Sequence, residues 1–337
     1  MKTLSLVFFL LLFLINTNHA SAQNSSGYHV VKTFHIKSNG GWDYIAVDDN
    51  SNKLYVSHGT QVNVIDKNNG DSIGVIPNTT GVHGIAFVHS LNKGYTSNGR
   101  LNNVTAFDLN NLKVLAQIPT GQNPDAIFYD DYSKKIITCN GRSKNLSVID
   151  PATDKVVATI SLTGKPETAV SDGAGKIFIN NEDKSEIAVV DIDQNKVIAN
   201  WSIAPGEAPT GLSIDRQTKR LFAGCDNKVL MIIDATNGKI ISKLTIGNGC
   251  DGTAFNPSLH YVYASCGEGI LTVIKELSAN DFKLVGNVKT KRGARTLCVD
   301  DTTKNVYLPT AEFEPSTNKD ERFLMKPGSF QVIVMAR

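Results

Sequence analysis

A pattern of about forty residues recurs along the chain, and it restricts the fold more than any other feature of the sequence. It is clearest between Asn145 and Asn181, where SVID, a polar turn PATD, KVVATISL, a Gly-led loop, TAVSD and KIFIN follow one another. Short runs of alternating Val and Ile, separated by Asp, Gly, Asn or Pro, are the pattern of antiparallel strands. Taking the residue just before each innermost run as an anchor gives Asp43, His83, Asp125, Glu167, Thr210, Asp251 and Arg295, at separations of 40, 42, 42, 43, 41 and 44 residues. No helical period occurs inside a unit, so the sequence predicts four short strands per unit, arranged as blades.

The second strands keep register: KLYVSHG, KGYTSNG, KIITCNG, KIFINNE, RLFAGCD, YVYASCG and NVYLPTA. Third strands such as VNVID and LSVID close on Asp66, Asp108, Asp150, Asp191 and Asp234, each before turn residues, which assigns these carboxylates to Asx turns rather than to chemistry. Fourth strands run from DSIGVI to FKLVGNV, and the seventh is missing because the chain stops at Arg337, just after FQVIVM. A spare strand, YHVVKTFHI (Tyr28 to Ile36), precedes the first unit. An open blade leaves an unpaired edge, which proteins avoid. The expectation is therefore all-β: a seven-bladed β-propeller of four-stranded antiparallel blades over residues 23–337, with units from about 41, 81, 121, 164, 206, 247 and 291. Residues 28–36 complete the last blade.

The first 22 residues read as a targeting signal. Lys2 supplies the charge, Leu4 to Ile15 the apolar stretch and Ala20-Ser21-Ala22 the cleavage site. The apolar run is too short to span a bilayer, which takes about 20 residues. No Cys follows it to carry a lipid. An exported protein, periplasmic or secreted, with no transmembrane segment after cleavage, is expected. The formal charge is +2 with Lys and Arg scattered, so no nucleic-acid partner is expected. Export permits disulfides, and one pair among Cys225, Cys250 and Cys266 is a candidate; no C-x-x-C occurs.

The pattern SVID, KVVATI, G-x-P and K-x-[FY]-[IV]-x-N resembles the YVTN/YncE-like β-propeller family, the surface-layer-type repeat, over about residues 28–337. The sixth unit departs from it: Lys275 replaces the turn Asp, and the hairpin lengthens to ELSANDF. The single Trp-Asp pair, Trp42-Asp43, precedes an inner strand, unlike the WD40 pattern. The resemblance implies an exported or envelope protein implicated in binding, without an assigned reaction. Relatives in shape include quinone- and haem-dependent periplasmic enzymes.

In a propeller, the loops entering the inner strands and leaving the second strands open on one face. The repeat therefore predicts two polar sets lining a solvated funnel there: the seven anchors, and the second-strand ends His58, Asn98, Asn140, Asn181, Cys225, Cys266 and Thr310. The carboxylates of Asp43, Asp125, Glu167 and Asp251 at one opening repel unless a cation, a partner or raised pKa values compensate, and Arg295 is one internal counter-charge. His58, His83 and Asp43 form a candidate metal set. Asp125 and Glu167 are the candidate acid/base pair. No HExxH, G-x-S-x-G, G-x-G-x-x-G or Walker loop is present. The seventh unit carries one large insertion, roughly Ala311 to Gly328, which reads either as a lid over the funnel formed by Glu312, Phe313, Glu314, Arg322 and Phe323 or as a solvated loop near the closure seam.

The functional expectation is a binding or scaffold module that takes a small molecule or protein partner at the channel mouth. The alternatives are a periplasmic enzyme with a metal- or quinone-dependent site in the same funnel, or a cell-envelope interaction protein. The cofactor is unknown, with a bound metal ion as the candidate.

Overall fold

The computed structural model describes residues 26–38, 40–315 and 324–337. Residues 1–22, expected from sequence to be a targeting signal, lie outside them, as do Arg322 and Phe323 of the insertion. Among the described residues, twenty-eight strands form seven four-stranded antiparallel sheets, and each sheet is one blade of a ring. Six blades are built from consecutive strands. The seventh takes its outer strand from the N-terminus: His29–His35 pairs antiparallel with Gln331–Ala336, from His29 opposite Ala336 to His35 opposite Gln331. Among the described residues no helix is long and apolar enough to cross a membrane.

The packing follows from the strand pattern. Second and third strands are almost fully buried on both faces, as in Leu54–His58 and Val62–Ile65, whereas fourth strands such as Lys196–Ser202 alternate partly buried and exposed positions. Two-sided burial suits the middle strands of a blade covered by neighbours on both sides. The core accordingly divides into seven clusters among the described residues, one at each blade–blade interface. The closing interface joins Phe34 and Ile36 of the N-terminal segment to Leu54 and Val56 of blade one and to Tyr307, Phe330 and Val332 of blade seven. The repeat aspartates act in turns: Asp66, Asp108, Asp150 and Asp234 each accept a backbone N–H two residues on, at 2.7–2.9 Å.

One irregularity repeats with the blades and sets up the site. Inner strands of blades one to six lose register with their partners at their first residues, between Trp42 and Ile45, Val82 and Ile85, Pro124 and Ile127, Pro166 and Ala169, Pro209 and Gly211, and Cys250 and Gly252. Each is a β-bulge, a device that re-aims a side chain at the end of a strand. The anchors of those six blades lie inside these bulges.

Candidate functional site

The bulges aim the anchors at one mouth, where they form an arc of alternating charge across five blades. His83 of blade two donates through Nδ1 to Asp43 Oδ2 of blade one at 2.5 Å, and lies 3.6 Å from Asp125 Oδ1 of blade three. On the other side of Asp43, Arg295 of blade seven approaches Oδ1 at 3.5 Å and donates to the Trp42 carbonyl at 3.0 Å. Arg295 Nε also donates to Asp251 Oδ2 of blade six at 2.6 Å. Glu167 of blade four has its own cation: Lys165 Nζ lies 2.5 Å from Glu167 and 2.5 Å from Glu182. The hydroxyl of Thr210 is turned to the carbonyl of Cys250. All seven anchors therefore stand at the mouth, and His83, Arg295 and Lys165 supply the compensation the carboxylates require.

Electrostatics at the mouth depart from ordinary values for physical reasons. Burial works against charge on His83, but the bond to Asp43 and the nearby Asp125 outweigh it and lift its pKa to about 9. Burial lifts Asp125 to about 7, against the pull of His83, with Asp43 adding to the rise. Burial and the neighbouring Asp125 raise Glu167 to about 8 despite Lys165. Asp251 is raised by burial, which Arg295 opposes. The mouth therefore favours an imidazolium at His83 and holds the Asp125 and Glu167 protons well above the usual carboxylate range.

The second-strand ends correct the expectation of a second lining ring. His58, Asn98, Asn140, Asn181, Cys225, Cys266 and Thr310 are all fully buried, because the strand turns these side chains into the blade. Asn98 donates to Asn103 and Thr105 at 2.8 Å, and Asn140 to Asn145 at 2.8 Å and Ser147 at 2.9 Å. Asn181 donates to Glu186 at 3.0 Å. They tie second strands to third strands. The metal set His58, His83 and Asp43 fails for the same reason: the His58 ring stacks on Phe330 with centroids 3.7 Å apart and places Nε2 2.8 Å from the Gly40 carbonyl. Asp125 takes its place, since Asp43, His83 and Asp125 bring ligand atoms within 4.8 Å of one another. The disulfide expectation is also corrected. All five cysteines are free thiols, and the Cys225, Cys250 and Cys266 sulfurs face carbonyls two residues away at 3.7, 3.7 and 3.8 Å.

Tyr44, the residue after the first anchor, is essential to the geometry and was not among the expected site residues. Its hydroxyl reaches across the channel to Thr168 of blade four at 3.3 Å and floors the funnel. Burial, with the charges of Asp125, Asp43, Glu167 and Asp251 around it, raises its pKa well above the phenolic value. The equivalent positions in the other units are Gly84, Ala126, Thr168, Gly211, Gly252 and Thr296. They are small where blades converge: a Cβ on Gly84 would sit 2.8 Å from Ile127, and one on Gly211 2.7 Å from the backbone of Thr253. The one aromatic residue in a column of small ones was the available clue.

Above this floor a pocket of about 630 Å³ opens off-centre, between blades seven, one and two. Its charged lining is Arg100, Arg295, His83 and Asp43, with Trp42 as its aromatic wall. A smaller space of about 320 Å³ adjoins Arg295 from the side of Thr210 and Asp251. The base of the insertion stands beside Trp42: Phe313 pairs in a bridge with Met325, and its ring lies 6.1 Å from that of Trp42. Glu312 is held by Lys291 at 2.5 Å and Gln331 at 3.0 Å, while Glu314 N–H bonds the Leu324 carbonyl at 2.8 Å. This stem forms a wall at the rim. Arg322 lies outside the described residues.

Among solved structures, the chain is similar to Kuenenia stuttgartiensis hydrazine synthase, with a TM-score of 0.71 and 16% identity over 81% of this chain and 94% of that one. It is also similar to the WD40 repeats of RRP9, with a TM-score of 0.75 and 9% identity over 94% of this chain and 99% of that one. At these identities the likeness is one of fold, a seven-bladed propeller. No protein-family model and no curated protein matches the chain.

Proposed function

We propose that the chain is an exported binding protein of the YVTN/YncE-like type, whose mouth captures a small polar ligand bearing an acidic group. One observation carries this reading: the pocket of about 630 Å³ is lined by Arg100, Arg295 and protonated His83, and while Asp43 engages His83 and Asp251 engages Arg295, the exposed Arg100 has no carboxylate partner among the described residues. A carboxylate or phosphate group fits such a lining, since a guanidinium offers paired donors to it. Trp42 supplies an apolar wall for the rest of the molecule. The repeat pattern supports the family, and the charge, apolar stretch and Ala20-Ser21-Ala22 of the first 22 residues support export.

Calorimetry or thermal shift with a panel of small carboxylates and phosphates tests the binding reading. At least one should bind at micromolar to millimolar Kd, and Arg100→Ala, a change at an exposed side chain, should weaken it about tenfold. A panel with no binder, or a binder indifferent to Arg100→Ala and His83→Gln alike, contradicts it. Mass spectrometry of the exported protein should find an N-terminus at Gln23.

A second reading, an enzyme acting in the same funnel, is favoured by the pKa values of about 7 and 8 at Asp125 and Glu167. Side chains titrating near the working pH suit proton transfer. Asp125→Asn and Glu167→Gln separate the two readings: an enzyme loses turnover of the bound ligand by at least a hundredfold with Kd little changed, whereas a binding protein shows no turnover to lose.

A further inference from the structure

On the face opposite the mouth, the departures of the sixth repeat unit create a second constellation. Asp215 ends the inner strand of blade five, His260 stands in the turn before the second strand of blade six, and Glu276 follows Lys275 in the lengthened third strand. One nitrogen of His260 and one oxygen from each carboxylate lie within 4.8 Å of one another. His260 and Glu276 border a pocket of about 350 Å³ that is open to solvent.

Asp215 accepts the Gln217 N–H at 2.8 Å, but Glu276 lacks a full set of donors. Glu276 is only 3% exposed and Asp215 4% exposed. Thr218 Oγ1 lies 2.8 Å from Asp215 Oδ2 and 2.8 Å from Glu276 Oε1, yet a hydroxyl has one hydrogen and satisfies one of them at a time. Glu276 Oε2 is buried with no hydrogen-bond partner. Neither nearby cation bonds Glu276 directly. Lys275 Nζ turns to the Leu259 carbonyl and lies over the Tyr261 ring. Arg220 directs its donors to the carbonyls of Ala279, Thr218 and Lys219, to Asn280 and to Asp234. A buried carboxylate oxygen without a donor is costly, and native structures satisfy such groups with a partner or an ion.

We propose that Asp215, His260 and Glu276 bind a divalent transition-metal ion, zinc or one of similar preference, that bridges blades five and six. One imidazole and two carboxylates form a ligand set this class of ion accepts, and the open pocket leaves room for water to complete the coordination. A modest inward turn of the exposed His260 ring brings its nitrogen to bonding distance of about 2.0–2.1 Å from an ion held by the two carboxylates.

Titration of the metal-free full chain with Zn²⁺, and with Co²⁺ as a spectroscopic reporter, tests this. One equivalent should bind, Co²⁺ should give visible ligand-field bands, and His260→Ala should weaken Zn²⁺ at least tenfold and abolish those bands. Because His260 is exposed, the variant should fold as the parent does; Glu276→Gln gives a second loss if its melting curve stays cooperative. His83→Gln, at the opposite face, should leave this binding unchanged. No stoichiometric binding, binding indifferent to His260→Ala, or binding lost in His83→Gln instead overturns the assignment.

Discussion

At the mouth, one imidazole carries the charge that carboxylates on either side of it require, and its proton makes the site testable. His83, Asp125 and Glu167 have folded-state pKa values of about 9, 7 and 8, all above their ordinary values of 6.5, 3.8 and 4.5. A raised pKa means the folded state holds the proton more tightly, so each group contributes stability that is complete below its ordinary pKa and lost as pH climbs through the folded value. Asp125 and Glu167 lose theirs between about pH 4 and pH 8, and His83 between about pH 6.5 and pH 9. Carboxylates held low, such as Asp131 beside Arg216, act in the opposite sense but finish titrating below about pH 4. The melting temperature should therefore fall by several degrees from pH 5 to pH 9, and Asp125→Asn should flatten the lower half of that fall; a rise over this range would contradict the assignment. Tyr44 permits a second test at this scale. Tyr44→Ala removes the floor and leaves a cavity, which should cost about 3 kcal/mol in urea denaturation, whereas Tyr44→Phe, losing one hydrogen bond, should cost about 1 kcal/mol. The seven anchors were legible as a column in the repeat alignment. The second-strand ends looked equally polar, yet they point into the blades, and identity alone does not tell a buried amide that satisfies its own blade from one that faces a ligand. Asn98 and Asn140, each bonded to the neighbouring third strand, are the plain examples.

At the scale of elements, two features decide the result: the bulge that opens six inner strands and the borrowed outer strand of the seventh blade. Strand number and order were legible because alternating Val and Ile with fixed turn residues leave few other solutions. The bulges were not, since a register shift of one residue arises from pairing and leaves no fixed residue type: Trp42, Val82, Pro124 and Cys250 all begin one. The borrowed strand was legible from a gap and a surplus that match. Deleting residues 26–36 would remove the partner of Gln331–Ala336 and the buried Phe34 and Ile36, each of which contributes about 1.5–3 kcal/mol by burial. The truncated protein should melt at least 10 °C lower or aggregate through the freed edge, and a circular permutant carrying this segment after Arg337 should recover the loss. A truncation that melts within 2 °C of the full chain would contradict closure through this strand.

For the molecule as a whole, ring closure has one consequence that no single blade can produce. Packing of successive blades sets Asp43, His83 and Asp125, separated by forty-odd residues in sequence, against one another, and closure brings Arg295 from the far end of the chain to Asp43. The raised pKa of His83 is therefore a property of three blades packed side by side, because it needs a carboxylate from the blade on each side. The most direct test is the titration of the His83 imidazole by NMR in the full chain, assigned by loss of the signal in His83→Gln. An apparent pKa near 9, falling below 7 when Asp43→Asn and Asp125→Asn are combined, is the expected result. A value at or below 6.5 in the unaltered chain, or one indifferent to the paired substitutions, would mean that the anchors do not converge on a single mouth.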